Sequence, residues 1–390
     1  EIYKTEDEVR SVFVPIKEFL PLKELKIKLR KDGELSKAYS NQLAKGAYRN
    51  ITRHWGMDIY PDFNLGSRTQ IAKHLQHYGW KPAEFTPTGK PIVNERVLKG
   101  INIPQAKLIN KYLMLQKRIG LVSSWIEAVT VQGRIHGYVN SCGAVTGRMT
   151  HSKPNIAQVP SVHSEYGKEC RELFKAKPGF KMVGVDASGL ELRMLAHYLG
   201  DPEYTKEILE GDIHTANQTA AGLETRDQAK TFIYAFLYGA GDEKIGEIVG
   251  AGAKEGKRLK KAFLKNNPKL KKLRDNVTSA ARRGYLIGLD GRKILIRSEH
   301  SALNALLQSA GAIVMKKALI HLDNYSRKQS LTNEIVGNIH DEIQSEVLEE
   351  DAHRYGLLAV DCIRQAGEDY NMKCPLDGEY KVGNTWADTH

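Results

Sequence analysis

The sequence predicts an α/β protein, and three observations carry that expectation. A short apolar run, Met182, Val183 and Val185, hands over to helically spaced Leu192, Leu195, Ala196 and Leu199. The stretch EIVGNIHDEIQSEV (334–347) holds two strand-like runs around a polar turn. Amphipathic patterns over 105–128 and from Arg226 onward call for helices. With 390 residues, 41% hydrophobic and 27% charged, the chain is long enough for two or three substructures of a globular protein. Its net charge of +12 should attract polyanions, nucleic acid above all. Cys142, Cys170, Cys362 and Cys374 form no C-x-x-C pair, which argues against a zinc ribbon or a disulfide framework. No apolar run approaches a membrane span and nothing at the start resembles a signal peptide, so no membrane partner is expected. The first residue is Glu1, not Met, and the chain is expected to be part of something longer.

Taken in order, residues 1–62 mix basic stretches such as 22–31 with Pro15, Pro21 and Pro61, and no chemistry can be assigned to them. From Ser67 a capped helix should run to Gly79, followed by a proline- and glycine-punctuated loop at 85–91. Gln105 to Ala128 reads as a long helix with Leu108, Tyr112, Leu115, Ile119, Val122 and Ile126 on its apolar face. Residues 134–160 alternate and carry glycines, so strands joined by tight turns are expected there. Arg148 follows Gly147 on one such turn and could approach a groove closely; an exposed turn arginine would look the same.

Asp186 falls where the strand gives way to the helix. A carboxylate there sits on a rigid support, a common way to present a metal ligand or catalytic acid. The alternative is that Asp186 and Ser188 merely cap the helix that follows.

In TRDQAKTFIYAFLYGAG (225–241), Thr225 and Gln228 make a capping box, so the helix should start at Arg226. Ala229, Phe232, Ile233, Phe236 and Leu237 would bury one face. Away from it run Arg226, Lys230, Tyr234 and Tyr238, four residues apart. Arg226 to Tyr234 would span on the order of 12 Å, comparable to a triphosphate with its sugar. The first helical turns also favour anions through their unsatisfied N–H groups and the helix dipole. Gly239 would let another backbone come close. A solvated basic stripe is the competing reading, and it leaves the exposed tyrosines unexplained. Residues 254–283 are heavily basic and would suit nucleic acid or plain solvation. Leu303 to Leu319 is an apolar helix interrupted by Asn304, Gln308 and Ser309, which are either satisfied core residues or groove readers. At 340–342, His340, Asp341 and Glu342 should occupy a hairpin turn with Asp341 at its tip.

The two aspartates acquire meaning together. Two Mg²⁺ ions bridged by Asp186 and Asp341, about 3.5–4 Å apart, would activate a 3′-hydroxyl and stabilise a leaving pyrophosphate. Arg226 and Lys230 would neutralise the triphosphate, since phosphoryl transfer depends mainly on positioning and electrostatics.

The segments DASGLELR (186–193), R-x3-K-x3-Y-x3-YG (226–239) and HDE (340–342) resemble the three polymerase motifs of family A, or DNA polymerase I-type, DNA polymerases. TGRMTHSKPNIAQVP (146–160) and LNALLQSAGA (303–312) resemble two further segments of that family. The wording GDIHT, FLYGAGDEKIG and LDGRK is similar to its T-seven-like phage branch, and the resemblance covers roughly Ser67 to His390. It implies a right-hand polymerase fold, with an antiparallel-sheet palm and helical fingers and thumb. The implied segments are thumb and N-terminal region at 1–128, palm at 129–198 and 304–390, and fingers at 199–303.

The implied activity is template-directed DNA synthesis on a primer, with dNTPs as substrates and two Mg²⁺ ions, Mn²⁺ able to substitute. Asp186, Asp341 and the Ala187 carbonyl would be metal ligands, with Glu342 close by. His214, Arg226 and Lys230 would hold the triphosphate and Tyr234 the sugar, while Glu191 would pack under that tyrosine and block a ribose 2′-hydroxyl. Tyr238 and Gly239 would face the templating pair, and Arg148, Asn304, Gln308 and His340 would contact primer–template DNA, several in the minor groove. The setting implied is phage-type replication in the cytoplasm of an infected bacterium, alongside replisome proteins. The chain has no room for the family's proofreading exonuclease, so no proofreading is expected of it. About sixty residues precede Ser67, too few beside the thioredoxin-recruiting thumb insertion of the phage enzymes, and thioredoxin dependence is not expected. A single-subunit RNA polymerase would share the chemistry, but Glu191 favours deoxynucleotides; a silent DNA-binding module would not require both aspartates.

Overall fold

A computed structural model describes residues 1–13, 16–21, 30–31, 36–37, 47–49, 55–59 and 62–390. The basic stretch 22–31, apart from Arg30 and Lys31, and the prolines Pro15 and Pro61 lie outside the described residues. The chain divides into two compact units, 1–127 and 128–390.

The first unit contains α1 (Ile2–Val12), a three-stranded sheet of β1 (Glu18–Pro21), β2 (Ala47–Arg49) and β3 (Trp55–Ile59) in the order β1-β3-β2, then α2 (Arg68–His77), α3 (Glu95–Lys99) and α4 (Pro104–Ala128). Ser67 caps α2 by accepting from the Gln70 amide, as its position predicts. Val9, Phe13, Phe63, Ile71, Leu75, Leu98 and Ile109 form the core, with Phe13 stacked on Phe63 at 4.6 Å. The expected apolar face of α4 holds only in part. Of the expected face only Tyr112 and Leu115 are buried, and Ile119 and Ile126 are 44% and 68% exposed; the rest of the buried side is made by Ala106, Ile109 and Trp125, so it is turned from the predicted one.

The second unit opens with two short paired strands, β4 (Tyr138–Asn140) and β5 (Thr150–Ser152), and α5 (Gly167–Glu172). Strand β6 (Phe180–Ala187) leads into α6 (Leu190–Leu199). A helical segment follows: α7 (Pro202–Leu209), α8 (Ile213–Ala221), α9 (Arg226–Leu237), α10 (Asp242–Glu247), α11 (Ala253–Asn266) and α12 (Pro268–Ala281). The hairpin β7 (Tyr285–Ile287) and β8 (Lys293–Leu295) precedes the long α13 (Ala302–Lys328). Then come β9 (Asn333–Ile339), β10 (Glu342–Leu348), α14 (Ala352–Asp369) and β11 (Gly378–Gly383).

One antiparallel sheet organises this unit, in the order β11-β6-β10-β9. Its central strand β6 is secured from both faces. Val183 and Val185 are fully buried among Ile343, Val347, Tyr355 and Ile363, each worth roughly 1.5–3 kcal/mol of burial. On β6, Gly184 leaves room for the closing turn (Trp386–Thr389): a Cβ there would lie 2.4 Å from Gln344 Nε2 and 2.6 Å from Thr389 Cβ. By length and composition the segment Glu299–Lys328 could cross a membrane, which corrects the expectation that no apolar run approaches that length. In this fold most of it is buried as a core helix, with Leu307, Ala310, Val314 and Leu322 at or near zero exposure.

Candidate active site

The sheet brings Asp186 and Asp341 to one end. Asp186 is the penultimate residue of β6 and pairs in register with Glu342 on β10 and with Glu379 on β11. It does not cap α6, whose N-terminus is preceded by Gly189 in the left-handed conformation with no side-chain cap. The β9–β10 turn is tighter than the HDE pattern suggests. His340, with φ +64°, and Asp341 make the turn, while Glu342 already belongs to β10 and is buried. That corrects the placement of Glu342 at the turn: its backbone pairs with Ile339 and Asp186. The Ala187 amide donates to the Asp341 carbonyl at 3.0 Å, locking the turn to the end of β6.

The electrostatics at this end are those of concentrated negative charge. Although Asp186 keeps contact with solvent, the packed sheet around it, then Asp341, Glu342, Glu379 and Glu191, raise its carboxyl to about 7. Asp341 is also raised, by burial first and then by Glu191. Neither aspartate has a basic side chain within ion-pairing distance among the described residues. Glu342 behaves differently. Burial pushes its carboxyl up, but His390 Nε2 at 3.0 Å, Trp386 Nε1 at 2.7 Å and Gln344 Nε2 at 2.7 Å all meet its Oε1 and hold it below the ordinary range. It is a fixed, tied-up anion beside the two aspartates rather than an open ligand.

No group of three His, Cys, Asp or Glu side chains suited to a metal occurs among the described residues. Two uncompensated carboxylates with a neighbouring backbone carbonyl nonetheless fit Mg²⁺, which takes one or two protein carboxylates and completes its shell with water and substrate oxygens.

Helix α9 follows the sequence reading closely. Thr225 and Gln228 form the reciprocal capping box, and Ala229, Phe232, Ile233, Phe236 and Leu237 are buried. On the other side Arg226 and Lys230 are exposed, Tyr234 is half-buried, and Tyr238 follows the last turn. The Tyr234 ring lies 6.4 Å from that of Tyr238 and 6.3 Å from that of His214 on α8. Gly239, at φ +73°, does accept a close backbone: a Cβ there would stand 2.8 Å from the His300 carbonyl oxygen.

Glu191 accepts a hydrogen bond from the Tyr238 hydroxyl at 3.1 Å. Burial and then Glu191 push the Tyr238 hydroxyl up to about 12, and the same two causes raise Tyr234. Arg148 is partly buried and lies 3.4 Å from Glu191. Burial, then Arg148, lowers the pKa of His340, and burial, then Arg226, lowers that of His214. Asn304 and Gln308 lie one turn apart on α13, both half-buried and without a hydrogen-bonding partner among the described residues. Ser309 beside them is fully buried with its hydroxyl unpaired.

The sequence profile of DNA polymerase family A matches residues 33–388. The chain belongs to DNA polymerase family A. It is 45% identical to the DNA-directed DNA polymerase of Enterobacteria phage T3 and 44% identical to that of Escherichia phage T7, in each case over 84% of this chain and 53% of the relative. The chain thus spans about half the length of the curated relatives it matches. Among solved structures it is similar to the POL domain of Pol1 from M. smegmatis in complex with DNA primer-template and dNTP. That likeness has a TM-score of 0.77 over 84% of this chain and 62% of that one, at 23% identity. The architecture is accordingly the α/β right-hand polymerase fold, and family A enzymes depend on divalent metal ions.

Four participants escaped the sequence reading. Asp212 accepts from Arg226 Nε at 2.6 Å, from Thr215 Oγ1 at 2.8 Å and from the His214 amide at 3.1 Å, so Arg226 is already engaged. The hydrogen bond from Arg226 holds the Asp212 carboxyl far below its usual range. The GDIHT wording contained this residue, but nothing local marked its partner fourteen positions away. Glu379 joins the acidic row only through β11 pairing. Trp386 and His390 reach Glu342 only through the fold of the closing turn.

Proposed function

We propose that this chain is a template-directed DNA polymerase that adds deoxynucleotides to a primer 3′ end and releases pyrophosphate. The observation that carries this reading is the meeting of Asp186 with Asp341 at one end of the sheet, in the unit that also carries the cation and tyrosine stripe of α9. In this reading the sheet-bearing segments 129–198 and 304–390 form the palm, 199–303 the fingers, and 1–128 the thumb with the N-terminal segment.

Asp186, Asp341 and the Ala187 carbonyl would hold two Mg²⁺ ions, with Mn²⁺ able to substitute. Such ions, when bound, activate the primer hydroxyl and offset charge on the leaving pyrophosphate. The chain's own residues do the rest. Arg226 and Lys230, at the start of α9, attract and orient the triphosphate, helped by the positive end of the helix. His214, whose charged form is disfavoured by burial and then by Arg226, would donate a hydrogen bond to the triphosphate. Tyr234 packs against the sugar, and Glu191, held by Tyr238 and Arg148, closes the space a 2′-hydroxyl would need. Tyr238 and Gly239 face the templating pair, and Arg148, Asn304, Gln308 and His340 read primer–template DNA from the minor groove, whose acceptors are nearly sequence-independent. The likeness to phage T3 and T7 polymerases supports a role in phage DNA replication in the cytoplasm of the infected cell.

Primer extension on a primed template with Mg²⁺ tests this directly. Wild-type protein should extend with dNTPs and poorly with rNTPs, and Asp186→Asn should not extend. Extension by the variant at the wild-type rate, or equal use of rNTPs, would defeat the reading.

A further inference from the structure

The positive charge of this chain is not spread evenly. Residues 254–283 hold twelve Lys and Arg against Glu255 and Asp275, a net +10 of the chain's +12. The fold sorts these cations. Arg258 pairs with Glu255, Lys260 with Asp242, Lys269 with Asp201, and Arg282 lies 3.8 Å from Glu299. Helix α11 buries Gly256, Leu259 and Phe263, and turns Lys254, Lys257, Lys261 and Lys265 outward along one exposed stripe. Among the described residues, none of these four lysines has an acidic partner.

Like charges spaced three or four residues apart on a helix oppose one another. A polyanion laid along the stripe removes that opposition and releases counterions, so charge complementarity selects nucleic acid as the occupant. The stripe is roughly 16 Å long, which matches about five nucleotides at the 3.4 Å per-strand spacing of stacked DNA.

The position of the stripe narrows the choice further. On the same helix, Lys260 donates to the Ala240 carbonyl and pairs with Asp242 at 2.9 Å. Ala240 lies two residues beyond Tyr238, which bonds Glu191 at the candidate site. Helix α11 is therefore anchored beside the Tyr238–Gly239 end of α9, where the templating base is placed in the function above, with its lysine stripe on the side opposite its buried residues.

We propose that the exposed lysine face of α11 binds the unpaired template strand on its way to the site. This rests on the polymerase reading and adds a binding surface to it. Single-stranded DNA would be held by its backbone, without sequence preference, and the contact would be strongly salt-dependent.

The test compares wild type with the triple variant Lys257→Gln, Lys261→Gln and Lys265→Gln on two hairpin primer–templates. One carries a single-nucleotide 5′ template extension and the other an extension of about ten nucleotides, long enough to cover the stripe. Affinity is read by fluorescence anisotropy over a salt series, and first-nucleotide incorporation is read separately. Wild type should bind the long extension more tightly, on the order of tenfold, and the variant should lose that gain. The slope of log K against log salt on the long extension should fall in magnitude by about 2, at roughly 0.7 per lost single-strand contact. Incorporation on the short extension should be unchanged, showing an intact fold. If the variant keeps the long-extension gain, or loses affinity equally for both templates, the assignment is overturned. Failure of wild type to extend either template would instead overturn the polymerase reading, because binding is measured independently.

Discussion

Replacing Asp186 by Asn should make the metal-free protein more stable at alkaline pH while abolishing its activity. Burial and four neighbouring carboxylates raise this side chain from 3.8 to about 7, so its charged form is disfavoured in the folded state. The folded protein therefore binds more protons than the unfolded chain between about pH 4 and pH 7, and stability falls as pH rises through that window. The full separation of the two values corresponds to roughly 4 kcal/mol. Asp186 keeps contact with solvent, and screening reduces the effect to about 1–2 kcal/mol. For a unit of this size that is an increase of about 2–8 °C in Tm for Asp186→Asn at pH 8 without metal.

Thermal unfolding by circular dichroism or scanning fluorimetry in EDTA measures it. The gap should narrow toward pH 5, where wild-type Asp186 is protonated. Mg²⁺ should raise the wild-type Tm through binding to the folded state and leave the variant less affected. A variant that is less stable than wild type at pH 8 in EDTA, or a gap that does not change with pH, would refute the electrostatic reasoning.

Other expectations follow from single contacts. Asp212→Asn frees Arg226 for the triphosphate, and steady-state kinetics should show the KM for dNTP falling about twofold to fivefold, the range of an exposed ion pair, with kcat changed less. Gly239→Ala places a methyl 2.8 Å from the His300 carbonyl at a φ of +73°; denaturant unfolding should show a loss of about 1–2 kcal/mol, and incorporation should slow. Tyr234→Phe should lower the use of dideoxynucleotides relative to deoxynucleotides, since the tyrosine hydroxyl can stand in for the missing sugar hydroxyl; an unchanged ratio in competition assays would count against Tyr234 at the sugar.

Local signals in the sequence were the dependable ones. The capping box at Thr225 and the five-residue buried face of α9 are set by helix periodicity alone, and both appear in the structure. The strand before Asp186 and the hairpin around Asp341 were legible for the same reason, through alternation and turn chemistry. Errors arose where tertiary context decides. Glu342 looks like a turn residue by composition, but Trp386, Gln344 and His390 provide it a buried carboxylate site that only the assembled sheet creates. Ile119 and Ile126 fit a helical face from which the buried side of that helix is turned away. Glu379 enters the acidic row by strand register, which no spacing within the sequence encodes. Glu191 and Tyr238 are forty-seven residues apart, and their contact depends on how α6 and α9 are placed by the sheet.

The central claim is that Asp186 and Asp341 act as one unit. Single-turnover incorporation by Asp186→Asn, Asp341→Asn and the double variant, with primer–template binding held saturating, tests it most directly. Two ligands of a shared ion pair give losses that do not multiply, so the double variant should be about as slow as either single variant. Defects that multiply across the cycle, or near-normal incorporation by either single variant, would contradict it.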